Sequence, residues 1–288
     1  MGKIGFIGYG SMGSMLVKCL INRSQVEPKN ILITRKSIDR LKEVKDMWPD
    51  INTTADITEI IRESDIIFIC VKPLEINNIL KDIKPFVNKN KHIVSLAGTL
   101  LIEDMERIVD CKITKMMPTV ISEVNKGITL ICHNNKVTLK DMEYLEKLFG
   151  SFTTLKKSEE DGYGFAAELT SCGPGFYAAI FQEFVEAGIR HTDIFTKEEI
   201  SQMVLQTVYG TVRLMLEQYM DFSDVVNRVA TKGGITEEGV KIIQERLPYT
   251  FDEVFCNTLE KRKIVTDKIH KQFIDDLYFL YKNDDIKI

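Results

Sequence analysis

Three glycines in the run GYGSMGSML, Gly8, Gly10 and Gly13, have the G-x-G-x-x-G spacing of a dinucleotide-binding loop. Gly8 permits a tight turn, Gly10 lets the main chain approach a pyrophosphate, and Gly13 allows a helix to pack closely on a strand. A helix opening at Ser11 and Met12 would add free N–H groups and the positive end of its dipole. The same spacing also occurs in turns that bind nothing, so the neighbouring segments decide. KIGFIG (residues 3–8) is a short apolar run suited to a central parallel strand. Met12, Met15, Leu16, Cys19 and Leu20 then form a helical stripe, and NILIT (residues 30–34) reads as a second strand. The glycines therefore sit at a strand-to-helix turn of a βαβ unit, and a cofactor loop is the expectation.

Where NAD-binding chains usually carry an acidic residue for the ribose hydroxyls, this chain has Thr34, Arg35, Lys36 and Ser37. Two cations and two hydroxyls suit a 2′-phosphate, which favours NADP(H) over NAD(H), with NAD(H) still admissible. A solvated basic turn would look the same. The run CVKPLE places Val71, Lys72 and Pro73 at the carboxyl end of another strong strand, and HIVSLAG places Ala97 at the end of the next. That sheet edge is where open α/β sheets bind ligands.

Two further runs carry candidate chemistry. ELTSCGPGF sets Ser171, Cys172, Gly173 and Pro174 ahead of an apolar helix, a start that could press against a flat ring such as nicotinamide. VATKGGITEEG joins a Gly-Gly turn to a helix near Thr236, whose hydroxyl could cap the helix or serve a ligand. The N–H groups of such a turn also make a seat for a carboxylate.

Strand–helix alternation runs to about residue 157, with strands near 65–71, 92–98, 112–118, 127–132 and 152–157. It implies an α/β fold: a Rossmann-type, mostly parallel sheet in residues 1–157. Residues 158–288 read as all-helical, with helices near 162–169, 175–189, 197–220, 236–245 and 251–281. The helix over 197–220 is apolar on several sides and is expected to be buried, in a helical domain or, preferably, at a subunit interface. A net charge of −4 argues against a general grip on nucleic acid or anionic membrane. Six cysteines and four histidines are scattered singly, which is poor material for a metal site, and none is expected. With no leader segment or spanning apolar run in view, a cytoplasmic protein is expected.

Together, GFIGYGSMG, VKP at 71–73, MMP at 116–118, SCGPGF at 171–176 and VATKGGITEEGV at 229–240 resemble the pyrroline-5-carboxylate reductase family, in its order and spacing. The resemblance implies a Rossmann domain followed by a helical domain that forms a homodimer, with room for a higher oligomer. It implies hydride transfer from the nicotinamide to the ring C=N of 1-pyrroline-5-carboxylate, giving proline. By the same resemblance Thr231, Gly233, Gly234 and Thr236 hold the substrate carboxylate, Cys172 lines the site, and the Thr236 hydroxyl lies near the ring nitrogen. A cyclic imine that is already protonated needs no strong enzyme acid, so positioning and exclusion of water would carry the catalysis.

The chain departs from the family pattern at Glu168, where a small residue is usual, at Cys172 for serine, and at Lys232 for proline. SCGP and KGGIT also resemble a divergent, competence-associated branch. Two other readings follow: a non-catalytic NADP(H)-binding dimer acting as sensor or partner protein, or a reductase of a related cyclic imine. A β-hydroxyacid dehydrogenase is disfavoured, because its lysine is missing from the helix over 175–189.

Overall fold

The computed structural model describes residues 2–35 and 39–284. The chain divides into two compact units, Met1–Gly173 with Leu259–Ile288, and Pro174–Thr258.

The first unit opens with β1 (Ile4–Ile7), α1 (Ser11–Asn22), β2 (Ile31–Thr34), α2 (Asp39–Met47), β3 (Asn52–Thr54), α3 (Ile57–Glu63), β4 (Ile66–Ile69) and α4 (Pro73–Ile83). It continues with β5 (His92–Ser95), α5 (Ile102–Glu106), β6 (Lys112–Met117), β7 (Gly127–His133), α6 (Leu139–Phe149), β8 (Thr153–Lys157) and α7 (Glu160–Ala167). A π turn (Glu168–Cys172) then leads into α8 (Gly173–Arg190).

The eight strands form one sheet in the order β3-β2-β1-β4-β5-β6-β7-β8, and only the β6–β7 pair is antiparallel. The strand order reverses between β1 and β4, which opens a ligand crevice at their carboxyl ends. Every residue of β1, β2, β4 and β5 is buried, as expected of parallel strands covered on both faces, hence their mainly apolar sequences. Phe6 stacks on Phe68 across β1 and β4 with centroids 5.0 Å apart.

The second unit holds most of α8, then α9 (Lys197–Gln218) and α10 (Phe222–Val229), and the first part of α11 (Ile235–Asp284). Thr196 and Asp221 cap α9 and α10 in reciprocal capping boxes. The 50-residue α11 corrects the expectation of two helices, since it passes through Pro248 without ending. A proline removes one backbone hydrogen bond. Beyond it, Ile269 and Phe273 are buried in the core of the first unit, and that packing outweighs the local penalty. His270 Nδ1 also lies 2.7 Å from Oδ1 of the fully buried Asp104.

One other expectation changes. The run around SCGPG is a π turn inside a helical path from Glu160 to Arg190, rather than the start of a helix after a loop. Within this single chain α9 buries only Ile200, and Met203, Leu205, Tyr209, Val212 and Leu216 stand exposed. No helix among the described residues is long and apolar enough to cross a membrane.

Candidate active site

The glycine loop begins where β1 ends. Gly8 donates its N–H to the Thr34 carbonyl at 2.9 Å and has φ +97°, a conformation that favours glycine. A Cβ at Gly8 would stand 2.9 Å from the Cys70 carbonyl, and one at Gly13 would stand 2.8 Å from the Gly8 carbonyl. Those two glycines fit α1 tightly against β1 and β4. Gly10 differs: a Cβ there would meet nothing within 4 Å. Gly10 is also the N-cap of α1, which has no side-chain cap and no acidic residue in its first turn. The first N–H groups, at Ser11, Met12 and Gly13, are thus open to an anion beside an empty space. These residues fit a dinucleotide pyrophosphate.

At the end of β2, Thr34 is buried and Arg35 donates from Nη1 to the Tyr9 carbonyl at 2.5 Å. The guanidinium is thereby held beside the glycine loop. Lys36, the other cation expected there, lies outside the described residues. A cavity of about 260 Å³ beside the loop is lined by Gly10, Ser11, Ser14, Lys18, Glu43 and others. Sequence reasoning missed Ser14 and Lys18, although the helical spacing 11–14–18 on α1 places them on one face.

β4 ends in Ile69, after which Val71 is half-buried and Lys72 is the exposed N-cap of α4, with Pro73 at its first turn. Ala97 follows β5 and is 5% exposed. Ile7 pairs with Ile69, Ile69 with Ser95, and Ser95 with Lys115. Gly8, Val71, Ala97 and the end of β6 therefore share one sheet edge. Ser171 of the π turn donates from Oγ to the Pro118 carbonyl at 3.3 Å, which brings the SCGP segment to that edge as well. Next to it, the Cys172 thiol is pushed up by burial first and by the Glu168 carboxylate second.

In the second unit, Gly233 (φ +74°) and Gly234 form the turn into α11. Gly234 N–H donates to the Thr231 carbonyl at 2.8 Å, and Gly233 N–H donates to Glu237 Oε2 at 2.7 Å. Two of the donors expected to receive a ligand carboxylate are thus engaged within the chain. The first N–H groups of α11, at Ile235 and Thr236, follow directly. Thr236 is exposed, and its hydroxyl has no hydrogen-bond partner among the described residues. Cys172 belongs to the first unit and Thr231, Gly233, Gly234 and Thr236 to the second.

Residues 3–98 match the family described as NADP oxidoreductase coenzyme F420-dependent, and residues 160–264 match pyrroline-5-carboxylate reductase dimerisation. Pyrroline-5-carboxylate reductase 3 of Bacillus subtilis is 35% identical over 94% of this chain and 100% of its own length. The chain belongs to the pyrroline-5-carboxylate reductase family. ComE operon protein 4 of the same organism is 28% identical over 94% of this chain and 99% of its own. The crystal structure of a Plasmodium falciparum pyrroline carboxylate reductase with NADP bound is 25% identical, with a TM-score of 0.80 over 93% of this chain and 98% of the other.

As a member of the pyrroline-5-carboxylate reductase family, the protein is an NAD(P)H-dependent oxidoreductase with a Rossmann-type domain and a helical dimerisation region. Its nicotinamide cofactor fits the open α1 terminus described above.

Proposed function

We propose that the protein reduces 1-pyrroline-5-carboxylate to proline and prefers NADPH as reductant. The reduced nicotinamide, when bound, supplies the hydride. Gly8, Gly10, Ser11, Met12 and Gly13 hold the pyrophosphate, Arg35 and Lys36 serve the 2′-phosphate, and Val71, Lys72, Pro73 and Ala97 line the route to the reactive end. The observation that carries the substrate side is the free Thr236 hydroxyl at the start of α11. There it can hydrogen-bond the ring nitrogen, while the N–H groups of the first turn receive the substrate carboxylate. With Gly233 and Gly234 bonded within the chain, their part is to shape that turn.

The protonated C=N carbon accepts hydride without an enzyme acid, and the ring nitrogen keeps its proton as the amine. This chain's residues then work by orientation and by keeping water out. Thr231, Gly233, Gly234 and Thr236 would frame the substrate carboxylate, and the helical region from residue 158 onward would carry both this turn and the dimer contact.

Thr236→Val tests the reading. The expected result is a fall in kcat/KM on the order of tenfold with NADPH affinity unchanged, because one ligand-directed hydrogen bond is removed. Unaltered turnover would take Thr236 out of the mechanism.

A second reading, a dimer that binds NADP(H) without turnover, is favoured by one observation: Glu237 already places a carboxylate on the turn. It predicts calorimetric NADPH binding with no oxidation of NADPH across a panel of cyclic imines, and proline formation would exclude it.

A further inference from the structure

Pro174 accounts for the wide turn in the helical run from Glu160 to Arg190. It has no N–H for the carbonyl four residues back, and its ring crowds that carbonyl. The chain answers with the π turn Glu168–Cys172, a coil that is rare and recurs at functional sites. Within it, Thr170 Oγ1 donates to the Ala166 carbonyl at 2.9 Å, and Ser171 Oγ donates to the Pro118 carbonyl at the end of β6.

The stronger hold is ionic. Arg262 of α11 directs Nε and Nη2 onto a single oxygen, Oε1 of Glu168, at 2.9 and 2.6 Å. The same Nη2 lies 3.8 Å from Cys172 Sγ. One guanidinium thus contacts the first and the last residue of the π turn. Glu168 is 2% exposed, and its Oε2 has no hydrogen-bond partner among the described residues. Arg262 reaches the turn by passing over Gly164, where a Cβ would stand 3.0 Å from Arg262 Cδ.

We infer that the Glu168–Arg262 pair is a clamp that sets the register of the π turn, so that both are positioning residues for Ser171 and Cys172 at the sheet's carboxyl edge. An ion pair that only tied α11 to the sheet unit would need contact with Glu168 alone. Holding Oε1 with Nε and Nη2 together while the same Nη2 also reaches Sγ uses the planar fork of arginine, which a lysine ammonium lacks. The effect on catalysis rests on the reductase reading above, whereas the effect on the Cys172 thiol does not.

The test uses the full-length holo-protein with Glu168→Gln and Arg262→Lys, both of which keep side-chain volume near the original. The pH dependence of Cys172 alkylation, followed by peptide mass spectrometry, reads the clamp without substrate. Glu168→Gln removes a negative neighbour, so the alkylation midpoint moves to lower pH. Arg262→Lys withdraws the donor from the sulfur, so the midpoint moves to higher pH. In steady-state assays both variants lose on the order of tenfold in kcat while NADPH affinity stays within about twofold, as expected of small displacements at a site.

Shifts of opposite sign together with the kcat loss establish the clamp. An unchanged midpoint in both variants, or wild-type kcat in Arg262→Lys, overturns it. If the wild type fails to reduce pyrroline-5-carboxylate, the functional reading falls, and the alkylation profiles alone decide the clamp.

Discussion

Arg35 donates from Nη1 to the main-chain carbonyl of Tyr9 at 2.5 Å, so the first cation after β2 is fixed to the glycine loop. A guanidinium anchored at one nitrogen keeps its remaining donors in a fixed orientation, ready for a doubly charged phosphate. Arg35→Ser is expected to weaken NADPH binding by roughly ten- to a hundredfold, the range of a charge-assisted hydrogen bond. NADH affinity should change little. Calorimetric titration with both cofactors measures the ratio, and equal losses for the two would remove the 2′-phosphate from the account of Arg35.

The two outer glycines of the loop do different work from the middle one, which gives a paired prediction. Gly8→Ala forces a side chain into a positive-φ position 2.9 Å from the Cys70 carbonyl, so it should lower Tm. Strain of that kind typically costs about 1–3 kcal/mol. Gly10→Ala meets open space at φ −86°, so folding should be unaffected. Its methyl group would instead occupy the approach to the first N–H groups of α1. The expected result is a wild-type Tm without cofactor, together with a loss of the stabilisation that NADPH gives the parent protein.

Much of this site was legible in the sequence because its physics is local. KIGFIG and the IIFI core of β4 read as buried parallel strands since both faces are covered, and the Gly8–Gly10–Gly13 spacing encodes backbone clearances. The π turn was not legible. Pro174 after small residues looks like a helix start, and the partner that holds the turn, Arg262, lies 94 residues away from Glu168. The continuity of α11 was hidden for a similar reason. Pro248 argues locally for a break, while the packing of Ile269 and Phe273 that overrides it is tertiary. The bond from Gly233 N–H to Glu237 was not legible either, because it depends on a φ of +74° that the residue types permit but do not dictate.

A buried histidine network predicts the acid response of the fold. His92 Nε2 and His133 Nδ1 each lie 2.7 Å from the Thr114 hydroxyl, and burial pushes the His92 imidazole down to about 4 from 6.5. The Asp141 carboxylate opposes that shift, and His133 and Lys112 reinforce it. Burial lowers His133 as well. Because the folded value lies below the unfolded one, the unfolded chain takes up the proton first on acidification. The His92 contribution is therefore intact above 6.5 and is lost as pH falls towards about 4, a difference of roughly 3 kcal/mol. His92→Asn, whose amide can still bond Thr114, should flatten the stability–pH slope in that window. Urea denaturation across it is the measurement, and an unchanged slope would exclude His92 as the source.

The apolar surface of the second unit makes the dimer testable without cofactor or substrate. Ile180, Phe181 and Phe184 of α8 and Met203, Val204 and Val208 of α9 line a shallow apolar cavity of about 410 Å³. Phe184 is 65% exposed, and Leu205 and Leu216 of α9 are 58% and 72% exposed. A stable dimer buries about 1,200–2,000 Å² in total, and these two helices offer the contiguous apolar face that such an area requires. A charge placed there would have to be desolvated on association, at a cost of several kcal/mol. Phe184→Glu is therefore expected to convert the dimer to monomer in sedimentation velocity at micromolar concentration, while far-UV circular dichroism keeps its helical signal. Lys89→Glu, on the exposed surface of the sheet unit, should leave the sedimentation coefficient unchanged. A Phe184→Glu protein that remains dimeric would move the interface away from α8 and α9.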